Sequence, residues 1–409
     1  MGVLRGYVWA LSGSAGRLVI SLAYFVAIAN ALSIADFGLF ATASATGIVI
    51  SRITALGFSS PLYRIATVKH RLIGVYTAGY LAALLLSLPL AFVAAAIAYG
   101  LVFAADMGIG VFALIVIAEV LLWRSVEIVM IVSNGMGRFG RAALLVIIGS
   151  AIRASAAVGF SVLGHSSLSV WSWYYLAANG IVLAIGIIGF YPRYSLRWQP
   201  ALYLRRWRDS VAVAGAEILF YLQSELDKLL VLAIGGPVTA GLYAIIMRLV
   251  DLTALPIRSF NMLLVQMIMR SGDAIGSLQI RVMIETGIAA VSTAALLFFA
   301  GFLSLYPTAL GHNVAEAAPL LIFVAAVPAL RNLIEYHSEL LYATGRTFIR
   351  TLNLAIIGLA KAAMLAALLT AYSSVSAWTP LLNGVFLILY GLSLMLTYPA
   401  LRGTKRRVI

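Results

Sequence analysis

Residues 73–100, IGVYTAGYLAALLLSLPLAFVAAAIAYG, contain no charged side chain; Arg64, Lys69 and Arg71 precede them and Asp106 follows. A helix needs ~20 apolar residues to cross the hydrocarbon of a bilayer. This run is long enough, and it is apolar on every face rather than along one stripe. Lipid is the solvent that such a helix fits.

The rest of the chain repeats the pattern. Of its 409 residues, 63% are hydrophobic and 10% are charged, whereas soluble domains carry about 25% charged residues. Apolar runs separated by Gly, Pro, Asp or Arg clusters predict spans near 8–32, 37–62, 73–101, 109–132, 142–163, 169–191, 210–234, 239–266, 282–305, 316–342, 350–372 and 379–401. That is about twelve crossings with short connections, and no connection has room for a second folded domain. The first run resembles a signal peptide around Arg5 and Ala29-Asn30-Ala31, but Arg17 interrupts it, so it reads as an uncleaved span.

Charge tests this division. Arg5, then Arg64, Lys69 and Arg71, then Arg138 and Arg141 fall in one alternate set of connections. So do the five arginines of residues 192–209, Arg270 and Arg281, Arg346 and Arg350, and the basic residues from Arg402 onward. The other set, around Asp36, Asp106, His165, Gly235, His312 and Ser374, has no Lys or Arg. By the positive-inside rule both termini of this multi-pass chain are cytoplasmic. The net charge of +14 is then a topology signal meeting anionic membrane lipids, and nucleic acid is not an expected partner. Residues 192–209 interleave Tyr194, Trp198, Tyr203 and Trp207 with arginines, as an interfacial segment on the inner leaflet does. Cysteine is absent, which removes disulfides and thiolate metal sites.

The chain also reads as a duplication. Gly38-Leu39-Phe40-Ala41 opens the second span and Gly241-Leu242-Tyr243-Ala244 the eighth; Gly137-Arg138 follows the fourth span and Gly345-Arg346 the tenth. The expected fold is all-α and integral to the membrane. Two six-helix lobes, 1–195 and 210–409, are related by a pseudo-two-fold axis along the membrane normal and joined by an interfacial linker, 196–209. Parallel repeats of this kind suit a central cavity and alternating access.

Charges within the spans point to what that cavity holds. They are Arg17, Arg52, Arg124, Arg153, Lys228, Arg248, Arg258, Arg331 and Lys361, with Glu119, Glu127, Glu217, Glu225, Asp227, Asp251, Glu285, Glu335 and Glu339. Each costs about 2.5–3.5 kcal/mol at mid-membrane on insertion scales, so they must pair, snorkel or face water. Arg331, Glu335 and Glu339 recur every four residues and share a helix face, as structural pairs do. Arg124 and Glu127 have similar spacing, while Glu119, Glu285 and Lys361 are expected to snorkel at an interface. Arg17 and Arg52 have no acidic neighbour in their own spans. Asp251 and Arg258 share a face of the eighth span, with Arg248 beside it and Pro256 expected to kink the helix. Guanidinium groups in excess suit a phosphate or diphosphate, which selects Arg17, Arg52, Arg248 and Arg258 for the cargo. Glu225, Asp227, Lys228 and Asp251 are candidates for ion coupling or cavity ion pairs. Only His337 of the four histidines lies in a span, and HExxH, P-loop and GxSxG patterns are missing; no enzyme, cofactor or metal is expected.

Asp36-Phe37-Gly38-Leu39-Phe40 with Leu56-Gly57 resembles the opening motif of polysaccharide repeat-unit flippases, members of the multidrug/oligosaccharidyl-lipid/polysaccharide exporter superfamily. Residues 224–248, with Asp227-Lys228, Gly236-Pro237, Gly241-Leu242-Tyr243 and Arg248, are similar to that family's seventh and eighth spans. Residues 342–345 resemble the end of its tenth. Ala55 stands where the family has an acidic residue, and the related lipid II flippases usually have fourteen spans. The resemblance implies two six-helix lobes forming a V, a bacterial cytoplasmic (inner) membrane, and transfer of undecaprenyl-diphosphate-linked oligosaccharide to the periplasmic leaflet. Arg17, Arg52 and Arg258 lie on spans whose arginines line the cavity of lipid II flippases. A polysaccharide polymerase or export machinery would be the protein partner. The alternatives are a cation-coupled multidrug antiporter of the same superfamily and a membrane-embedded enzyme of envelope biosynthesis.

Overall fold

The computed structural model describes residues 18–271 and 278–402, and among them every regular element is helical. The expectation of an all-α membrane protein is met. Helix α1 is Leu18–Ala31, α4 His70–Phe103, α5 Ile109–Gly135, α6 Phe139–Val162 and α7 Leu168–Phe190. From α4 to α7 the ends fall within a few residues of the spans read from sequence. Between α1 and α4 lie α2, Ile34–Ser51, and α3, Ser59–Val68. The rest are α8, Trp207–Ser271; α9, Leu278–Leu305; α10, His312–Val324; α11, Val327–Ala343; α12, Thr347–Ala371; and α13, Val375–Leu401. Among the described residues nine helices are long and apolar enough to cross a membrane, and the bent pair α10–α11 adds a tenth. One of the nine, Trp207–Ala254, has 48 residues, about 72 Å at 1.5 Å per residue and more than twice a bilayer core. Helix α1 is shorter than the nine.

Helix α2 begins with a local capping arrangement. The Ser33 hydroxyl accepts from the Asp36 N–H at 3.0 Å, and the Asp36 carboxylate sits in the first turn, where the helix dipole favours negative charge. Phe37 and Gly38 are buried directly behind the cap. Of the α2 stretch 61% is buried, against 11% in α4, whose Leu85, Leu86 and Phe92 are fully outward. Helix α2 is an inner helix and α4 a peripheral one suited to face hydrocarbon.

The sequence predicts one span over 37–62, and the structure breaks it. Past Arg52 the chain enters a left-handed turn at Ala55 (φ 55°), Leu56 (φ 48°) and Gly57 (φ 71°). Such dihedrals cost a residue with a Cβ about 1–2 kcal/mol, so neighbours have to hold them. Ser87 of α4 accepts the Ala55 N–H at 2.9 Å. Gly57 allows the Ser210 carbonyl oxygen to approach within 2.1 Å of where a Cβ would stand. The span over 316–342 is also split, at a 68° bend between α10 and α11. Pro328 sits in the first turn of α11, and its missing N–H is tolerated only at such a start.

Backbone contacts divide the chain into two compact units, Ile20–Ala233 and one built on Ile234–Ile409. The change of unit falls within α8, three residues before Gly236 leaves helical geometry (φ 79°, ψ 177°). Pro256 lies within continuous helix. The linker read over 196–209 runs without regular structure to Gln199, then forms a short helix, Pro200–Leu204.

Ser87→Ala would leave the buried Ala55 N–H without its acceptor, at a cost of about 1–3 kcal/mol. Thermal unfolding of the purified protein in detergent should show a lower midpoint for Ser87→Ala and a larger drop, or loss of folded protein, for Gly57→Ala. Unchanged midpoints would remove the turn's structural role.

Candidate functional site

Arg52 caps the end of α2 and is 5% exposed. Its guanidinium meets Glu127 of α5 in a bidentate pair, Nη1–Oε2 2.7 Å and Nη2–Oε1 2.9 Å. Glu127 also accepts from Arg124 Nη1 at 2.8 Å, and Arg124 Nη2 reaches Glu217 of α8 at 3.0 Å. The Tyr221 ring covers Arg52, with 3.9 Å from Cζ to the ring centroid. Two guanidiniums and two carboxylates thus balance inside the first unit. Only the Nε atoms of Arg52 and Arg124 remain buried without a hydrogen-bond partner. The residue expected to grip an anionic cargo is therefore neutralised by a partner on another helix. The Arg124–Glu127 pair forms as its spacing predicts, but within a larger network.

The helix holding this network is not regular. Residues Ala118–Trp123 of α5 form a wide π turn directly before Arg124, which rotates Glu119 onto another face. Glu119 is 2% exposed and accepts from Ser44 Oγ at 2.7 Å and from the Tyr175 hydroxyl. It does not snorkel. Beside it, Arg153 lies over the Trp123 ring at 3.5 Å.

The coupling candidates divide between the units. In the first, Lys228 Nζ bonds Glu225 Oε2 at 2.6 Å, and Asp227 is buried one residue before it. In the second, Asp251 pairs with Arg331 at 3.1 Å, and Arg258, 46% exposed, pairs with Glu335 at 3.2 Å. Glu339 pairs with Arg350 at 3.2 Å. Arg331, Glu335 and Glu339, expected from their spacing to pair along their own helix, instead have ion partners on α8 and α12. Arg248 is half-buried on α8. Arg17 lies outside the described residues.

A second buried centre was not singled out from sequence. Glu285 of α9 accepts from His337 Nε2 of α11 at 3.1 Å, from the Tyr390 hydroxyl at 2.7 Å and from the Tyr398 hydroxyl, both on α13. His337 Nδ1 contacts Ser393 Oγ at 3.0 Å, and Asn353 of α12 donates to the same hydroxyl at 3.3 Å. His337 is fully buried and stacks on Tyr390, with ring centroids 5.5 Å apart. Lys361 is buried as well. Lys361 is thus enclosed by protein, while Glu285 is partly buried. The available signals were the one in-span histidine and two tyrosines eight residues apart on α13, but only packing brings them onto Glu285. Among the described residues no group of three His, Asp or Glu is placed to hold a metal ion.

No known family model matches the sequence, nor does any curated protein. Solved structures do match in fold. The fold is similar to that of MATE family transporters. An inward-facing multidrug resistance MATE family transporter of the MOP superfamily superposes with a TM-score of 0.62 at 13% identity, covering 98% of this chain and 100% of the other. The outward-facing conformation of such a transporter gives 0.50 at 13% identity, covering 98% and 96%. A MOP superfamily transporter from Pyrococcus furiosus, described by a binding pocket of reverse polarity suggesting a different function, gives 0.58 at 14%, covering 98% and 96%.

Removing one partner of a buried pair leaves an uncompensated charge, typically at about 3–5 kcal/mol. Glu127→Gln should therefore sharply lower the yield and thermal midpoint of folded protein. Arg52→Met combined with Glu127→Met should recover much of it, because Arg124 keeps Glu217. A double variant no better than Glu127→Gln would mean that the network does not act through charge balance.

Proposed function

We propose that this protein is a secondary transporter that spans the membrane twelve times with both termini cytoplasmic and works by alternating access. The whole-chain likeness to MATE transporters in both inward-facing and outward-facing conformations carries this reading. Its cargo is a class of amphipathic cationic or aromatic compounds, exported against an inward flow of ions. The balanced state of Arg52 and Arg124 supports that choice over an anionic cargo, since the Arg52 charge is already met by Glu127.

Coupling falls to partly buried carboxylates within the spans that can take up a proton. Glu285 holds three donors from two helices. A proton on Glu285 would weaken its bonds with His337 and with both tyrosines, loosening α9 from α11 and α13. Asp251 with Arg331, and Glu225 with Lys228 near Asp227, are further coupling candidates.

A second reading keeps the polysaccharide flippase: undecaprenyl-diphosphate-linked oligosaccharide as cargo, with a polymerase or export machinery downstream. The short motif at Asp36–Phe40 and the 46% exposed guanidinium of Arg258 favour it. Arg258 and Arg248, rather than Arg52, would then meet the diphosphate.

Expression in a drug-sensitive bacterial host separates the two readings. The antiporter reading expects lowered accumulation of ethidium, more efflux when the outside is acidified, and collapse by a protonophore. Glu285→Gln should remove the response to the pH gradient while the protein still inserts. No efflux, with rescue of polysaccharide export in a flippase-deficient host, would replace this reading with the second.

A further inference from the structure

A cavity of about 640 Å³ opens between the end of α3, the start of α4 and the segment entering α8. Arg64, Lys69, Arg205 and Arg206 line it together with apolar groups that include Tyr76 and Leu202. We propose that this cavity binds the phosphate head group of an anionic membrane lipid.

Three observations carry the proposal. The first is charge. Arg206 approaches Asp209 at 3.5 Å, with both side chains largely exposed. Among the described residues Arg64, Lys69 and Arg205 have no acid within ion-pair distance. Four cations thus face one peripheral carboxylate, which leaves room for the negative charge of a phosphate.

The second is that the walls are held in place. Tyr203 is 9% exposed, and its hydroxyl donates to the Val75 carbonyl at 2.9 Å and accepts from the Gln199 N–H at 3.0 Å. Its ring packs edge-on against Phe58 and Tyr76. Gly74 lets the chain lie close, since a Cβ there would stand 2.3 Å from the Ser195 carbonyl oxygen. Arg205 and Arg206 therefore follow a buried anchor rather than a free loop. A topology signal needs cations in the connection, but not their convergence on one concavity.

The third is the mix of surfaces. Cations line one part of the cavity and apolar side chains another, as the head and first methylenes of a lipid require. Trp198 and Trp207, 62% and 55% exposed, flank the segment as interfacial aromatics do. The positive-inside pattern places the cavity at the cytoplasmic leaflet, where anionic lipids concentrate.

The full-length protein, purified in a neutral detergent, would be titrated with phosphatidylglycerol, phosphatidylcholine, inorganic phosphate and pyrophosphate. Binding would be read by thermal shift and by lipid adducts in native mass spectrometry. Phosphatidylglycerol should raise the unfolding midpoint and form discrete adducts; phosphatidylcholine and the free anions should do neither at matched concentration. Arg64→Gln with Arg205→Gln should weaken the phosphatidylglycerol effect at least tenfold. Arg138→Gln with Arg193→Gln, an equal charge change outside the cavity, should not. Should the first pair fail to fold, Lys69→Gln with Arg206→Gln makes the same test. Equal weakening by the control pair, or a response to the free anions as strong as to the lipid, would overturn the proposal. So would the absence of any anionic-lipid effect.

Discussion

A guanidinium inside a membrane has to be neutralised where it sits, and in the first unit one carboxylate does this twice. Glu127 takes both Nη atoms of Arg52 and one of Arg124, and Arg124 passes its remaining Nη to Glu217. This ties α2, α5 and the first part of α8 together at a point where hydrophobic contact gains little, because lipid is as apolar as leucine. Much of the local backbone serves the pairing. The chain leaves helical geometry three residues after Arg52, and α5 widens immediately before Arg124. Both irregularities free a side chain to turn toward a partner on another helix.

The carboxylates within the spans fall into two kinds. Glu127 is locked between two permanent cations and has little freedom to change charge. Glu119 and Glu285 are held largely by hydroxyls, with a histidine added at Glu285. Hydroxyls can reorient, and each can donate or accept. The first kind fixes helices, while the second can report a proton. The proposed coupling rests on that difference rather than on the number of charges in the membrane.

Much of the fold was legible in the sequence. An uncharged run such as residues 73–100 states its solvent outright, and the alternation of Arg-rich and Arg-free connections checks where each run ends. Hydropathy is a property of consecutive residues and survives without knowledge of packing. The site was less legible because its pairs are set by how far each helix rotates against its neighbours. Arg52 and Glu127 are 75 positions apart, and the π turn in α5 shifts every face read from an ideal helix. Glu119, Glu285 and Lys361 were expected at an interface because sequence gives depth only crudely. Packing encloses Glu119 and Lys361 and partly covers Glu285, and hydroxyls from other helices (Ser44 and Tyr175 for Glu119, Tyr390 and Tyr398 for Glu285) meet the two carboxylates. The split at residues 55–57 was hidden because Ala and Leu carry no mark of left-handed geometry.

Helix α4 shows how such a chain drifts. Its most apolar stretch is 11% buried, so many of its side chains face outward and suit lipid, which accepts any apolar shape. Leu, Ile, Val, Phe and Met can replace one another there with small effect on stability. The same freedom extends to Val162, Ile188, Phe298, Leu359 and Met395, all outward-facing. Over long divergence such faces lose residue identity and retain only hydropathy, while inner helices such as α2 preserve the shape. A chain built this way can share 13% of its residues with a solved transporter and still superpose along 98% of its length. The outward faces, as the least constrained, account for much of the distance between its sequence and its fold.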